Sequence, residues 1–283
     1  MIERSAPSDA TPGDQRASEV LGIVAYTNVA PLHWGLEPWR GARFVRGVPS
    51  ELNAALMAGE VDLTLVSSVE FIRHRQELVA LPDFSIASLG PVHSVTLFHH
   101  RGWEQLDGAT IGVTTHSATS VELLRVLLAL QGLEAELVPV EPDLDEMLAR
   151  FDAALLIGDN ALVEAVTSRP IAGKVPQQSD LGDAWYRATR LPFTFAVWAA
   201  RADRLPSPRL VAELRAARER GLGHLADVAR VEAAARGLSE AVVLRYLANF
   251  RYFLEPPDRD GLLDFARRLD PSVRADELRF LDL

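Results

Sequence analysis

The residues with the most chemical promise in this sequence are small polar ones placed just after apolar runs. They are Thr27 and Asn28; Ser67 and Ser68; Ser94; Thr115, Ser117, Thr119 and Ser120; and Asp159 with Asn160. An apolar run ending in Ser, Thr, Asn or Asp is how a strand hands over to a helix, and any one of these residues is explained by capping alone. Their recurrence at corresponding positions points further. Helix-start N–H groups with neighbouring hydroxyls stabilise negative charge without a guanidinium clamp, so a cleft lined this way suits a carboxylate.

Other chemistries lack their anchors. The 7 histidines, His33, His74, His93, His99, His100, His116 and His224, form neither an HExxH nor a facial-triad spacing, so no metal is expected. His93 and His116 stand beside two of the polar strand ends, as ligand contacts or as solvated loop residues. The absence of Cys excludes disulfides and thiol nucleophiles. No GxSxG elbow, Walker loop or GxGxxG follows a strand, which removes the hydrolase, NTPase and dinucleotide readings. Trp185, Phe193, Phe195 and Trp198 cluster around Pro192 and read as core or hinge packing.

These strand ends need a frame to hold them together. With 283 residues, 48% hydrophobic against 24% charged, the chain folds and exceeds the usual size of one core, so two lobes are expected. A net charge of −10 with scattered Lys and Arg argues against nucleic-acid or anionic-membrane partners, and an anionic ligand then needs a local binding device. Residues 1–19 read as a disordered cytoplasmic leader without the apolar h-region of an export signal. No apolar run approaches the about 20 residues that span a bilayer.

From Val20 the pattern alternates. Val20–Tyr26, Ala42–Val48 and Val61–Val66 read as strands; Pro31 opens a short helix, Pro49 and Ser50 a second that Gly59 stops, and Ser67 and Ser68 a third. This βαβαβα run predicts a parallel sheet with right-handed crossovers. Leu78–Leu81, Ser85–Leu89 and Ser94–His99 are three closely spaced strand-like pieces. A second unit follows: Thr110–Thr114 (strand), Ser120–Leu130 (helix), Leu137–Val140 (strand), Leu144–Arg150 (helix) and Ala153–Ile157 (strand). Phe193–Ala199 is a return strand, and from Pro206 onward the chain reads as helix, broken near Gly221, Gly237 and Pro256. That layout is an α/β, two-lobed, periplasmic-binding-protein-like (type II) fold with its ligand cleft between lobes. Crossovers near 100 and 195 give residues 20–100 and 196–283 to lobe 1 and 101–195 to lobe 2.

Read in order over roughly residues 20–255, the strand ends resemble the chorismate dehydratase family of the futalosine route to menaquinone. The matching stretches are Tyr26-Thr27-Asn28 with Pro31; Gly59 to Asp62, then Val66-Ser67-Ser68-Val69-Glu70; Gly90 to Val95; Ser117-Ala118-Thr119-Ser120; Leu156 to Leu162; and Asp180-Leu181-Gly182 through Trp185, Thr189 and Leu191-Pro192-Phe193 to Trp198. The resemblance implies a cytoplasmic, cofactor-free enzyme that removes water from chorismate to give 3-[(1-carboxyvinyl)oxy]benzoate. It implies Asn28 and Ser94 near the reacting carbons and the leaving hydroxyl. Ser67, Ser68, Ser117, Thr119, Ser120 and Asp159 would bind substrate, mainly through its carboxylates. None of the hydroxyls or amides is a general base near neutral pH, so the substrate's own enolpyruvyl carboxylate is expected to take the proton, with Asp159 or His93 as the rival base.

The sister family that makes 1,4-dihydroxy-6-naphthoate shares the fold and uses a catalytic His in the segment matching Leu156–Leu162, where this sequence has Gly158. A carboxylate solute-binding or sensing module is the non-enzyme alternative on the same fold. Oligomeric state is left open, and Arg46 is kept out of the expected site.

Overall fold

The computed structural model describes residues 18–282. β1 (Glu19–Val24) leads through the 3-10 turn Thr27–His33 to β2 (Ala42–Gly47), α1 (Pro49–Met57), β3 (Leu63–Ser67), α2 (Ser68–Arg73) and β4 (Leu78–Ser88). The chain continues as β5 (Val95–His99), β6 (Ala109–Thr114), α3 (Ala118–Leu130), β7 (Ala135–Val140), α4 (Leu144–Arg150), β8 (Ala153–Ile157), α5 (Gly158–Thr167), β9 (Gln177–Asp180) and α6 (Leu181–Thr189). It returns through β10 (Phe193–Arg201) to α7 (Pro208–Gly223), α8 (Leu225–Arg236), α9 (Glu240–Ala248), β11 (Phe250–Arg251) and α10 (Pro256–Leu269).

Among the described residues these strands form a 6-stranded sheet, ordered β11-β4-β10-β3-β1-β2, and a 5-stranded sheet, ordered β7-β6-β8-β5-β9. The parallel pairing expected from the βαβ pattern holds for β2-β1-β3 and for β7-β6-β8. The remaining strands are antiparallel, for a topological reason. Phe193 pairs with Ser88, so β10 begins where β4 ends and must run back along it. The same holds in the second sheet, where Val95 at the start of β5 pairs with Ile157 at the end of β8. Because β5 belongs to the second sheet, the chain leaves the first at residues 89–94 and not near residue 100, and it returns at 190–192.

Several local expectations change. The pieces read as Leu78–Leu81 and Ser85–Leu89 are one strand, with a register shift opposite Val197 and Ala199 that accommodates Pro82. Pro31 does not open its helix. The turn starts at Thr27, Val29 N–H donating to Tyr26 O at 3.0 Å, and Pro31, lacking an N–H, sits inside it and favours a tight 3-10 form. Residues 1–17 of the expected leader lie outside the described residues. Its last residue, Glu19, starts β1 instead, and its carboxylate accepts from the Ser207 N–H and hydroxyl at 2.6 and 2.5 Å. β9, Gln-Gln-Ser-Asp, carries no apolar alternation and is held as an edge strand through its pairing with β5, so nothing in its composition announced it.

Both crossings are tied down. The Asp180 carboxylate caps α6 and accepts the N–H groups of Val92 and His93 at 3.0 and 2.6 Å. Trp185 Nε1 donates to Pro192 O at 3.2 Å, and Trp185, Phe193 and Trp198 are fully buried as core packing requires, whereas Phe195 of the same cluster is half-buried and faces a cavity.

The turn carrying Asn28 rests on α7, whose Gly221 comes so close that a Cβ there would lie 2.0 Å from the Pro31 carbonyl oxygen. Backbone faces backbone, so neither side can yield by a rotamer change. Gly221→Ala is expected to destabilise the protein by about 3 kcal/mol, the upper range for overpacking. Thermal unfolding checks this, and an unchanged Tm would contradict the packing described.

Candidate active site

A cavity of about 540 Å³ lies between the two sheets, walled by both. Helix starts converge on it: Pro49 and Ser50 of α1, the α2 cap Ser67, Ser117 to Ser120 at α3, and Ile157 with Gly158 at α5. Each brings the positive end of a peptide-dipole array and N–H groups without intrahelical partners. Among the described residues no Lys or Arg lines the cavity, so an anion held by them depends on N–H groups, hydroxyls and amides. Apolar residues, including Val24, Leu65, Ile86, Phe195 and Phe250, make up most of the rest, and Glu70, His74 and His116 are the carboxylate and imidazole groups on the wall, Glu70 being ion-paired with Arg73 at 3.1 Å.

Asn28 lines the cavity, and its Oδ1 is buried without a hydrogen-bond partner. A buried acceptor left unpaired is costly, which makes Asn28 a candidate ligand contact. Ser94 is 2% exposed and also lines the wall. Its carbonyl accepts the Gly158 N–H at 2.7 Å, and its hydroxyl neighbours that of Tyr246. Burial pushes the Tyr246 hydroxyl far above its ordinary range, with Ser94 opposing the shift, so it stays neutral. Gly158 adopts φ +61°, where a side chain would be strained.

The expected substrate-binding residues divide into two groups. Ser67, Ser117, Thr119 and Ser120 lie on the wall. Ser117 caps α3, accepting the Ser120 N–H at 3.1 Å and donating to the Ser120 hydroxyl at 3.0 Å. Thr119 accepts the Val69 N–H at 3.0 Å, a buried bond between the lobes. Ser68 and Asp159 lie off the wall. The wholly buried Ser68 hydroxyl donates to Thr194 O and fastens α2 to β10. Asp159 turns away from the cavity, pairs with Arg236 at 2.7 Å and accepts the Thr27 N–H at 3.4 Å.

His116 lines the cavity, its ring 3.8 Å from Glu141. His93 does not line it; it is exposed at φ 64°. Arg46 is also off the wall, close enough to His33 to help hold that imidazole near pKa 4, although burial is the larger cause. Among the described residues no group of three or more His, Asp or Glu is placed to hold a metal.

Sequence reasoning missed Tyr26, Ser50, Asn53, Glu70, His74, Phe195 and Phe250, all on the wall. Ser50 and Asn53 had a signal. They share a face of α1 with Ala54 and Met57, opposite the buried Leu52 and Leu56, and polar residues there announce a lined cleft. Asn53 Oδ1 is likewise buried and unpartnered. Phe250 had none, since β11 is a two-residue strand inside a helical stretch.

Solved structures share this architecture. A protein of Archaeoglobus fulgidus superposes with a TM-score of 0.69 at 18% identity, covering 91% of this chain and 98% of its own. The periplasmic aliphatic sulphonate binding protein of Escherichia coli gives 0.63 at 13% identity, covering 95% and 93%. At such identities they establish the fold alone, which is periplasmic-binding-protein-like. In sequence, a chorismate dehydratase of Thermus thermophilus is 44% identical over 260 residues, 88% of this chain and 94% of the relative. Residues 20–271 match the family described as menaquinone biosynthesis. A match that runs from the first strand past the last helix, with a relative aligned almost end to end, means that this chain belongs to the menaquinone-biosynthesis family.

Proposed function

We propose that this chain is a chorismate dehydratase, a hydro-lyase that converts chorismate to 3-[(1-carboxyvinyl)oxy]benzoate and water in the cytoplasm, without a cofactor. The 44% identical relative carries the reading. The cavity supports it: hydroxyls, amides and helix starts suit a dianion whose reaction needs little acid or base strength. The proton on C3 and the hydroxyl on C4 leave together as water, and the ring becomes aromatic. The C3 proton is acidified through the ring double bond to the ring carboxylate, so donors on that carboxylate stabilise the charge that develops.

Ser67, Ser117, Thr119 and Ser120 hold the carboxylates, while Asn28 and Ser94 face the reacting carbons and the leaving hydroxyl. The base is the substrate's own enolpyruvyl carboxylate. Supporting this, Asp159 and His93 are off the cavity wall and Asp159 is already ion-paired, while the carboxylate and imidazole groups on the wall are engaged elsewhere: Glu70 with Arg73 at 3.1 Å, His74 with Glu77 at 3.1 Å and His116 beside Glu141 at 3.8 Å. The test is chorismate with that carboxylate amidated, offered beside chorismate itself. The analogue should stay intact while chorismate is consumed over many turnovers. Steady conversion of the analogue would point to a protein base, and chorismate retained but not consumed would point to a binding module.

A further inference from the structure

We infer that Asp159 and Arg236 form an interlobe clamp that positions the Asn28 turn, a role that rests on the dehydratase reading above. Asp159 lies in the first turn of α5, behind the second sheet's β8, whereas Arg236 ends α8, which packs on the Thr27–His33 turn of the first lobe. The carboxylate serves both lobes at once. Its Oδ2 lies 2.7 Å from Arg236 Nε, and its Oδ1 accepts the N–H of Thr27, the residue before Asn28. Glu232, one helical turn before Arg236, braces the guanidinium from the other side at 2.8 Å.

The side chains of Asp159 and Arg236 are only 22% and 17% exposed, so their attraction is less screened than that of a surface pair. Neither lines the cavity, so any effect on turnover passes through Asn28 and through lobe closure. Since the pair joins elements of different lobes, it exists only when the lobes meet and biases the protein toward the closed form. A ligand that binds the closed form then loses apparent affinity in proportion to any fall in that population. Both are positioning residues.

The substitutions separate the two contacts. Asp159→Asn keeps an oxygen for Thr27 N–H and loses the charge, Arg236→Gln loses the opposite charge, and Asp159→Ala loses both contacts. Asp159→Asn and Arg236→Gln should each raise the KM for chorismate about tenfold with kcat changed by less than about twofold. Their combination should be no worse than Arg236→Gln alone, because partners in one contact are not additive. Asp159→Ala should also lower kcat by about tenfold, the scale on which a small misplacement of a reacting group is felt. Additive effects of the two charge substitutions, or an unchanged KM in both, would overturn the clamp.

Small-angle scattering of the ligand-free full chain reads closure without turnover. A larger radius of gyration in Asp159→Ala than in wild type supports the clamp, and an equal one overturns it. If the wild type leaves chorismate untouched, the dehydratase reading fails while the scattering still decides the clamp.

Discussion

Asn28→Ala is expected to lower chorismate turnover about a hundredfold or more while leaving the protein folded, the scale of losing one hydrogen-bonding group from a transition state. The Asn28 Oδ1 is buried on the cavity wall with no hydrogen-bond partner among the described residues, so truncation breaks no bond seen there. The turn itself is held by other contacts: Val29 N–H to Tyr26 O, Thr27 N–H to Asp159, and the seat on Gly221. The measurement is kcat beside a thermal melt. A near-normal Tm with turnover collapsed fits the assignment, and full activity would sink it.

Ser94→Ala should cost a similar factor in turnover, with a stability change of about 1 kcal/mol. Its hydroxyl is nearly inaccessible except from the cavity, on the inside of the crossing between the lobes. Its backbone carbonyl, which fixes Gly158 N–H, is unaffected by the substitution, so the helix start opposite remains in place. The neighbouring Tyr246 hydroxyl does not substitute as a base, because deprotonating it in a fully buried site is more costly than in water. Steady-state kinetics with chorismate check this, and wild-type kcat in Ser94→Ala would remove Ser94 from the chemistry.

Much of the frame was legible because strands and helices advertise their periodicity. Ala153–Ile157 and Leu144–Arg150 fall where the apolar patterns put them, and Asn28, Ser67, Ser94, Thr115, Ser117, Thr119 and Ser120 collect at one cavity, whereas Thr27, Ser68, Asp159 and Asn160 do not line it. What periodicity does not encode is which way a side chain turns at a strand end. Ser67 and Ser68 are adjacent, yet one lines the cavity and the other faces β10. Asp159 follows Gly158, whose positive φ re-aims the chain, and its carboxylate points to Arg236, a residue 77 positions away. Long-range charge pairing of that kind has no local signature. The crossing between lobes lies several residues earlier than composition suggests, because Ser94–His99 has the same composition whichever sheet it joins and only its pairing with β8 and β9 decides.

The dehydratase reading stands or falls on the product. Purified protein stripped of metals is incubated with chorismate, and the mixture is separated by chromatography and identified by mass spectrometry. The account predicts 3-[(1-carboxyvinyl)oxy]benzoate in amounts far exceeding the protein, with no cofactor added. Chorismate recovered unchanged, even if bound, would contradict it.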